Sequence, residues 1–219
     1  MPDQLAFDWP TGVALGPDDF FVSEANAQAY AMLGTPEIWP ERKLALIGPK
    51  GSGKSHLARV FQSQNDALLV EAATIGADFR SDADTIIIED IEHLPPHAEE
   101  AVFHLHNNLR NAQGTLLLTS HLPPSRWSIA LPDLASRMQA TTVVQITNPD
   151  DALLSALIMK LFADRQINPQ PHLVQYLTTR IERSYAAAAE IVARLDTAAL
   201  AQGRKINKTL AAELLDNSD

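Results

Sequence analysis

The chain has 219 residues, of which 46% are hydrophobic and 20% are charged, so it can bury the core of an α/β domain and of a smaller appended module. It contains no cysteine, which excludes disulfide bonds and thiolate metal sites. Its 17 Lys and Arg residues against 27 Asp and Glu give a formal net charge of −10, which argues against a protein that grips DNA on its own basic face.

The first 16 residues predict a tail on a tether. They lack the basic and apolar regions of a signal peptide, and no stretch is apolar enough to span a membrane, so we expect a cytoplasmic protein without a membrane partner. The short segment Gln4–Trp9 is followed by two prolines and two glycines, which are typical of a flexible connection. Leu5, Phe7 and Trp9 favour a partner-binding segment, since such side chains are seldom left exposed; a disordered tail is the alternative.

A first helix is followed by an alternation of strands and helices. The helix is predicted to begin with Ser23 as its N-cap and to end near Leu33. Five apolar runs without polar alternation then predict strands buried on both faces of a parallel sheet. They are Leu44–Ile47, Ala67–Val70, Thr85–Ile88, Thr115–Leu118 and Thr142–Ile146. Helical stretches at 55–64 and 99–112 lie between them, so we predict an α/β fold with helices on both faces of the sheet.

The pattern changes after Pro149. The remaining residues read as helices with no strand between them, at 151–166, 171–180, 185–201 and 208–215. We therefore predict three units, which are the tail and tether at 1–16, the α/β domain at 17–148 and a small all-α lid domain at 149–219.

The α/β domain carries a predicted phosphate-binding loop. The run Gly48-Pro49-Lys50-Gly51-Ser52-Gly53-Lys54-Ser55 lies between a predicted strand and a predicted helix that continues with His56, as the P-loop motif requires. Its glycines let backbone amides point at phosphate oxygens, Lys54 reaches the terminal phosphates, and Ser55 offers a hydroxyl to Mg²⁺. We predict that residues 49–56 bind ATP or ADP; a glycine-rich turn before an ordinary helix is the alternative.

Two strand ends predict the rest of the phosphate site. The third strand is followed by Glu89 and Asp90, and in P-loop proteins the first such acid orients Mg²⁺ while the second aligns or deprotonates the attacking water. The fourth strand ends in Thr119 and Ser120, whose hydroxyls we expect near the γ-phosphate as sensors. Carboxylates at a solvated strand end are the alternative for the acidic pair.

Arg137 lies between the last two predicted strands. It is a candidate arginine finger, a side chain that stabilises charge on a phosphate bound to a neighbouring subunit. An ordinary surface arginine is the alternative.

The histidines predict no zinc site. Two pairs are close in sequence, His93 with His97 and His104 with His106. Two prolines between the members of the first pair prevent a helix, and the members of the second pair would face different sides of one. We expect ordinary buried or solvated histidines.

In chain order these features resemble the AAA+ domain of the bacterial replication initiator family, DnaA. The matching segments are Phe20-Phe21-Val22 before a helix that carries Asn26, the phosphate loop with His56-Leu57, Ile88–Glu92, Leu117–Pro124 and Leu134–Arg137. The last two are the most specific, because Thr-Ser…Pro-Pro followed by Leu-x-Ser-Arg is not general among P-loop proteins. The resemblance covers about residues 17–215. It implies an α/β P-loop AAA+ core with a five-stranded parallel sheet and an all-α lid, with Phe21 and Val22 beside the nucleotide.

Two features bring the resemblance nearer to the Hda-type regulatory inactivators of DnaA. The DNA-binding domain that follows the lid in DnaA is not expected here. The amino-terminal segment resembles peptides that bind the replicative sliding clamp, with Gln4 as the polar anchor and Leu5, Phe7 and Trp9 as apolar contacts. The resemblance implies a regulator that binds the clamp, meets DNA indirectly through it, and uses Arg137 in trans to promote ATP hydrolysis by DnaA.

Departures from the DnaA pattern predict weak or no intrinsic hydrolysis. Ala186 stands where the family has a lid arginine that reads the γ-phosphate, Arg183 lies nearly one turn earlier, and His121 replaces an Asp after the strand hydroxyls. The alternative function is an autonomous AAA+ ATPase, such as a helicase loader or a DnaA-like initiator. A small-molecule P-loop kinase is disfavoured because the extra helices form one carboxyl-terminal block. Self-association into a homo-oligomer is a further alternative.

Overall fold

The computed structural model describes residues 20–216, which begin with a turn and a short helix. Helix α1 spans Ala27–Leu33, so the prediction that Ser23 is its N-cap is wrong by three residues. The Ser23 carbonyl accepts the N–H of Ala27 at 2.8 Å and closes the turn before the helix. Asn26 takes the N-cap position, and its side-chain amide donates to the Phe21 carbonyl at 2.9 Å, which fixes the segment before the helix.

Within residues 20–216, five strands form one parallel sheet, as the sequence predicts. They are β1 (Lys43–Ile47), β2 (Leu68–Glu71), β3 (Thr85–Glu89), β4 (Thr115–Ser120) and β5 (Thr142–Gln145). Their order is β2-β3-β4-β1-β5, and all four pairings are parallel. Residues that follow the strands therefore meet at one edge, the carboxyl edge, and residues that precede them meet at the opposite, amino edge.

Helices cover both faces of the sheet. The further helices of this part are α2 (Lys54–Asn65), α3 (Glu99–Asn111) and α4 (Pro132–Ala140). Leu44 and Leu46 of β1 join a buried cluster with Phe61 of α2, whereas Ala45 between them joins a second cluster with Leu105 of α3. Successive side chains of β1 thus enter two cores, which explains its continuous apolar run. The prediction of burial on both faces is wrong for the edge strands β2 and β5, where Leu68 and Val143 are 38% and 41% exposed, because an edge strand has a neighbour on one side only.

The sequence pattern does not predict α4. Its signals are a proline at the first position and the fully buried pair Leu134 and Met138 at i,i+4 spacing. No side-chain cap of its own marks where it begins. The segment that leads into α4 is held by Glu99 of α3, whose carboxylate accepts the N–H groups of Ala130 and Leu131 at 3.0 and 2.6 Å.

Four helices make up the carboxyl-terminal part of the described chain, as expected from the sequence. They are α5 (Asp151–Ala163), α6 (Pro171–Thr178), α7 (Tyr185–Gln202) and α8 (Lys208–Asp216). They pack around their own buried cluster, which includes Phe162 and Leu195. Tyr185 belongs to the core of the sheet instead, and its hydroxyl donates to the Thr147 carbonyl at 3.2 Å. No helix in residues 20–216 is long and apolar enough to cross a membrane.

Candidate functional site

The predicted phosphate loop lies at the carboxyl edge, between β1 and α2. The Gly48 N–H donates to the Ser120 carbonyl at 3.1 Å, so the loop starts beside the end of β4. Gly51 and Gly53 have φ angles of +81° and +91°, which other residues rarely adopt. A Cβ on Gly53 would also stand 3.1 Å from the ring of Phe20, so the ring would have to shift to make room for any other residue.

Lys54 holds its charge at the floor of this loop. It is 8% exposed, and its ammonium donates to the carbonyls of Gly48 and Pro49 at 2.8 and 3.0 Å. Burial lowers the pKa of Lys54, while the nearby charges of Asp90, Glu92 and Glu89 act in the opposite direction. The acidic strand end therefore lies close enough to Lys54 to act on its charge.

Four buried polar atoms near this edge make no hydrogen bond of good geometry among the described residues: Ser52 Oγ, His56 Nε2, Glu89 Oε1 and Glu92 Oε2. Ser52 is 4% exposed and Glu89 is 7% exposed, and both Ser52 Oγ and Glu89 Oε1 are unpaired. Buried unpaired polar atoms are costly, so such positions point to a ligand, an ion or ordered water. A hydroxyl in the loop suits a phosphate oxygen, and a carboxylate at the end of β3 suits a hydrated cation.

The strand-end residues take different positions. Asp90 is exposed and has a φ of +51°, and its N–H donates to Thr119 Oγ1 at 3.1 Å, which ties the ends of β3 and β4 together. Ser120 is fully buried, and its hydroxyl accepts the N–H of Leu122 at 2.9 Å and the ring N–H of Trp127 at 3.0 Å. The Thr119 hydroxyl thus accepts the backbone N–H of Asp90, whereas the Ser120 hydroxyl holds the loop that follows β4.

The segment before α1 borders the same loop. The ring of Phe20 stacks on His56 and on Tyr30, with ring centroids 5.8 and 6.0 Å apart, and the Val22 side chain is 44% exposed. Phe21 is half-buried at the edge of the core. An exposed apolar surface next to a phosphate loop suits a nucleotide base. Phe20 itself was not among the residues that the sequence assigned to the site.

The remaining predicted loop residues include Ser55, which is exposed in the first turn of α2, and Lys50, which is exposed on the loop.

From the helical part, Tyr185 approaches the loop, with its Cβ 3.5 Å from the position that a Cβ on Gly51 would take. Arg183 pairs with Asp151 at 2.8 Å, so its guanidinium is engaged at the start of α5. The predicted clamp-binding residues Gln4, Leu5, Phe7 and Trp9 lie outside the described residues.

Arg137 lies at the amino edge, away from the phosphate loop. It belongs to α4, which leads into β5, and β5 begins beside the start of β1. The length of β1 separates this edge from the loop, roughly 15 Å for five residues. The guanidinium carbon of Arg137 lies 5.0 Å from the centre of the Phe103 ring, a cation–π contact that orients the side chain.

A hollow of about 350 Å³ opens beside Arg137. Lys43, His106, Arg110 and Glu41 also line it, and Arg110 pairs with Glu41 at 3.3 Å. Burial lowers the pKa of Lys43; Glu41 raises it, and the charges of Arg110 and Arg137 lower it further. Three cations against one carboxylate make this basic hollow suitable for an anion. Sequence reasoning found only Arg137, because the other side chains come from distant positions.

The chain is similar in sequence to DnaA proteins. No protein-family model matches it. It is 25% identical to the chromosomal replication initiator protein DnaA of Cutibacterium acnes, over 90% of this chain and 45% of that protein. It is 26% identical to an uncharacterized protein of Haemophilus influenzae, over 77% of this chain and 79% of that protein. The chain spans about half the length of the DnaA relatives that it matches.

The fold is similar to solved structures of AAA+ proteins. Domain III of the Thermotoga maritima replication initiation protein DnaA gives a TM-score of 0.71 at 18% identity, covering 95% of this chain and 98% of that one. AMPPCP-bound DnaA from Aquifex aeolicus gives 0.66 at 16% identity, covering 84% and 66%. The T. maritima RuvB branch migration motor gives 0.64 at 14% identity, covering 91% and 70%. The fold is an α/β P-loop AAA+ core followed by a helical part, as the sequence predicts.

Proposed function

We propose that this protein is a nucleotide-binding AAA+ regulator of replication initiation, of the Hda type, that promotes ATP hydrolysis by DnaA. In this proposal the phosphate loop binds ATP or ADP, the segment Gln4–Trp9 docks on the sliding clamp, and Arg137 acts on the nucleotide of a DnaA molecule. DNA is met indirectly, through the clamp that encircles it.

Nucleotide binding is supported by the unpaired buried atoms of the carboxyl edge. Ser52 Oγ and the ammonium of Lys54 offer donors to phosphate oxygens, and Glu89 and Ser55 would hold Mg²⁺. A bound Mg²⁺ would neutralise charge on the terminal phosphates. Similarity to DnaA adds weight, because the Aquifex protein was solved with the ATP analogue AMPPCP.

The observation that carries the proposal is the place of Arg137. Because the length of β1 separates it from the chain's own phosphate loop, it is too far away to touch a nucleotide bound there. The basic hollow is accessible from solvent at Arg110, whose side chain is 54% exposed, and in this proposal it receives a phosphate from another molecule. Similarity to DnaA over 90% of the chain favours DnaA as that molecule, since AAA+ domains of the same shape can stack on one another. A second copy of this chain is the other candidate.

Weak intrinsic hydrolysis fits the same proposal. Arg183 is paired with Asp151, and Ala186 offers no charge to a γ-phosphate. An autonomous ATPase, such as a helicase loader or a DnaA-like initiator, remains the second candidate because Glu89, Asp90 and Thr119 meet at the carboxyl edge. Turnover by the isolated chain separates the two functions.

The test is a DnaA ATPase assay with the full chain, sliding clamp and DNA. The parent chain should accelerate ATP hydrolysis by DnaA. Arg137→Ala should lower the stimulated rate by about 10³-fold or more, or to the unstimulated rate, as expected for the loss of an arginine finger. Arg180→Ala is the matched control, because Arg180 also makes a cation–π contact, at 5.1 Å from Tyr176, but in the helical part. Equal stimulation by the parent chain and Arg137→Ala would refute the proposal.

A further inference from the structure

Three potential metal ligands converge at the carboxyl edge, outside the phosphate loop. Glu92 and His93 lie in a short 3-10 turn (Ile91–His93) that follows β3, and His121 directly follows β4. Since β3 and β4 are parallel neighbours, these two segments leave the sheet side by side. One ligand atom from each of the three side chains lies within 4.8 Å of the other two.

Glu92 is positioned as a buried anchor of this cluster. Its side chain is 4% exposed, Oε1 accepts the His121 N–H at 3.0 Å, and the same oxygen contacts Nδ1 of the His121 ring. The carboxylate also interacts with the Ser120 side chain, but its second oxygen, Oε2, is buried and makes no hydrogen bond of good geometry among the described residues. A buried carboxylate that is only partly hydrogen-bonded is a suitable anchor for a cation.

The two histidines leave the other side of the cluster open. His93 and His121 are exposed, and their ring centres are 6.1 Å apart with a 40° tilt, so the rings do not stack face to face. Ligand atoms around a tetrahedral Zn²⁺ are spaced by roughly 3.3 Å, given metal–ligand distances near 2.0–2.1 Å. The three ligand atoms lie within 4.8 Å of one another, so rotation of the exposed rings is what must bring them to that spacing.

The donor set selects the kind of ion. Two imidazole nitrogens and one carboxylate oxygen suit Zn²⁺ and the similar transition metals, whereas Mg²⁺ and Ca²⁺ prefer oxygen ligands throughout. Three protein ligands leave a fourth position for water or another molecule. The cluster is therefore chemically distinct from a Mg²⁺ site at the phosphate loop.

We propose that Glu92, His93 and His121 form a binding site for Zn²⁺ or a similar transition-metal ion beside the nucleotide site. The expectation of no zinc site considered only histidines close together in sequence, whereas these ligands meet because their strands are neighbours. A bound ion would link the segment after β3, which carries Asp90, to the segment after β4, which follows Thr119. This inference does not depend on the proposed action on DnaA.

The test is a metal titration of the full chain, prepared without a polyhistidine tag and stripped with a chelator. Calorimetry with Zn²⁺, in excess Mg²⁺ and without nucleotide, should show one bound ion per chain. Co²⁺ should give the visible absorption of a bound ion, and Zn²⁺ should displace it. His93→Ala and His121→Ala should each weaken Zn²⁺ binding at least about tenfold, because each removes a ligand.

Two controls keep the result interpretable. His97→Ala removes an exposed histidine from the same stretch and should leave Zn²⁺ affinity unchanged. ADP affinity, measured without Zn²⁺, should be the same in His93→Ala, His121→Ala and the parent, which would show that the variants fold. No stoichiometric Zn²⁺ binding, or equal Zn²⁺ affinity in the His121→Ala variant, would overturn the proposal and leave only a hydrogen-bonded pair of Glu92 and His121.

Discussion

The two edges of the sheet present positive charge in opposite ways. At the carboxyl edge the ammonium of Lys54 is turned inward, since Lys54 is 8% exposed and donates to two carbonyls of its own loop, although Lys50 on the same loop is exposed. At the amino edge Lys43 is buried, but the two guanidinium groups are turned outward, since the Arg110 side chain is 54% exposed and Arg137 borders an open hollow. An enclosed ammonium suits a ligand that the loop surrounds, whereas guanidinium groups at an open hollow suit a phosphate that another molecule presents.

The separation of the edges has a functional consequence. A single phosphate group is far smaller than the distance along β1, so Lys54 and Arg137 cannot act on one phosphate of one nucleotide. We therefore expect substitutions at the two edges to have separable effects, because distant sites without shared partners behave independently.

Lys54→Ala should have the largest effect, and it should be confined to the carboxyl edge. Removing a buried ammonium from the phosphate loop should weaken ADP binding by about 100-fold or more, because hydrogen bonds to charged groups contribute about 1.5–3 kcal/mol each. Calorimetry with ADP and Mg²⁺ measures this. Arg137→Ala should bind ADP within about twofold of the parent. A large loss of ADP affinity in both variants would show that the edges are coupled.

Glu99→Ala should destabilise the fold where α3 begins beside the segment that leads into α4, by about 3 kcal/mol. Glu99 is 3% exposed, and its carboxylate accepts the N–H groups of Ala130 and Leu131 in two charge-assisted hydrogen bonds that alanine cannot make. Urea unfolding followed by circular dichroism measures the loss. Glu100→Ala is the matched control, since Glu100 is the exposed neighbour on the same helix and should change stability little. Equal free energies of unfolding for the two variants would contradict this role.

The sequence predicted the carboxyl edge far better than the amino edge. The phosphate loop is one continuous run of residues, and Glu89, Asp90 and Thr119 each end a clearly apolar strand. Because parallel strands align their ends, the sequence positions alone bring these residues together. The pattern could not say that Ser120 would bond to Trp127 rather than remain free, since that contact depends on how the following loop folds back.

The amino edge is built from contacts that leave no local pattern. Lys43, Arg110 and Arg137 come from the start of a strand and from two different helices. The segment that leads into α4, the helix of Arg137, is held by Glu99, more than thirty positions away along the chain. A motif search sees residues that are near in sequence, so it could name Arg137 through a family resemblance but not the hollow around it.

The stability of the protein should fall at low pH because His106 lies beside the positive charges of the basic hollow. Burial, and then the charges of Lys43, Arg137 and Arg110, lower the pKa of His106 to about 4. The folded chain keeps this imidazole neutral, whereas the unfolded chain protonates it near pH 6.5. The unfolded state therefore binds more protons between these values. Stability from this group is complete above pH 6.5 and falls as the pH drops to about 4, by on the order of 3 kcal/mol.

The free energy of unfolding should be measured for the parent and for His106→Gln across that pH interval. The difference between the two isolates the contribution of His106, because the other titrating groups contribute equally to both proteins. The parent should lose more stability than the variant as the pH falls. His104→Gln, on the exposed side of the same helix, should follow the parent. An NMR titration adds a direct test of the hollow: Arg137→Ala should raise the pKa of His106, since it removes a nearby positive charge. An unchanged pKa would place Arg137 outside the basic hollow.

The smallest predicted effect concerns Phe103, which orients Arg137 without touching a phosphate. Its ring lies under the guanidinium at 5.0 Å, and a cation–π contact at a partly exposed site contributes about 0.5–1 kcal/mol. Phe103→Leu keeps an apolar side chain on α3 but removes the aromatic face. We expect stimulation of hydrolysis by DnaA to fall only about two- to fivefold, the factor that corresponds to that energy.

The reason for expecting so small a loss is that Arg137 keeps its charge and its place on α4. Phe103→Leu changes only how often the guanidinium points in the productive direction, so a higher concentration of the variant should not restore the parent rate. Tyr176→Leu removes the equivalent contact from Arg180, which lies 5.1 Å from that ring, and should leave stimulation unchanged. A loss as large as that of Arg137→Ala would mean that Phe103 supports α4 as a whole. Unfolding measurements on Phe103→Leu would then show a matching loss of stability, and the outward-facing charge would depend on packing rather than on one aromatic contact.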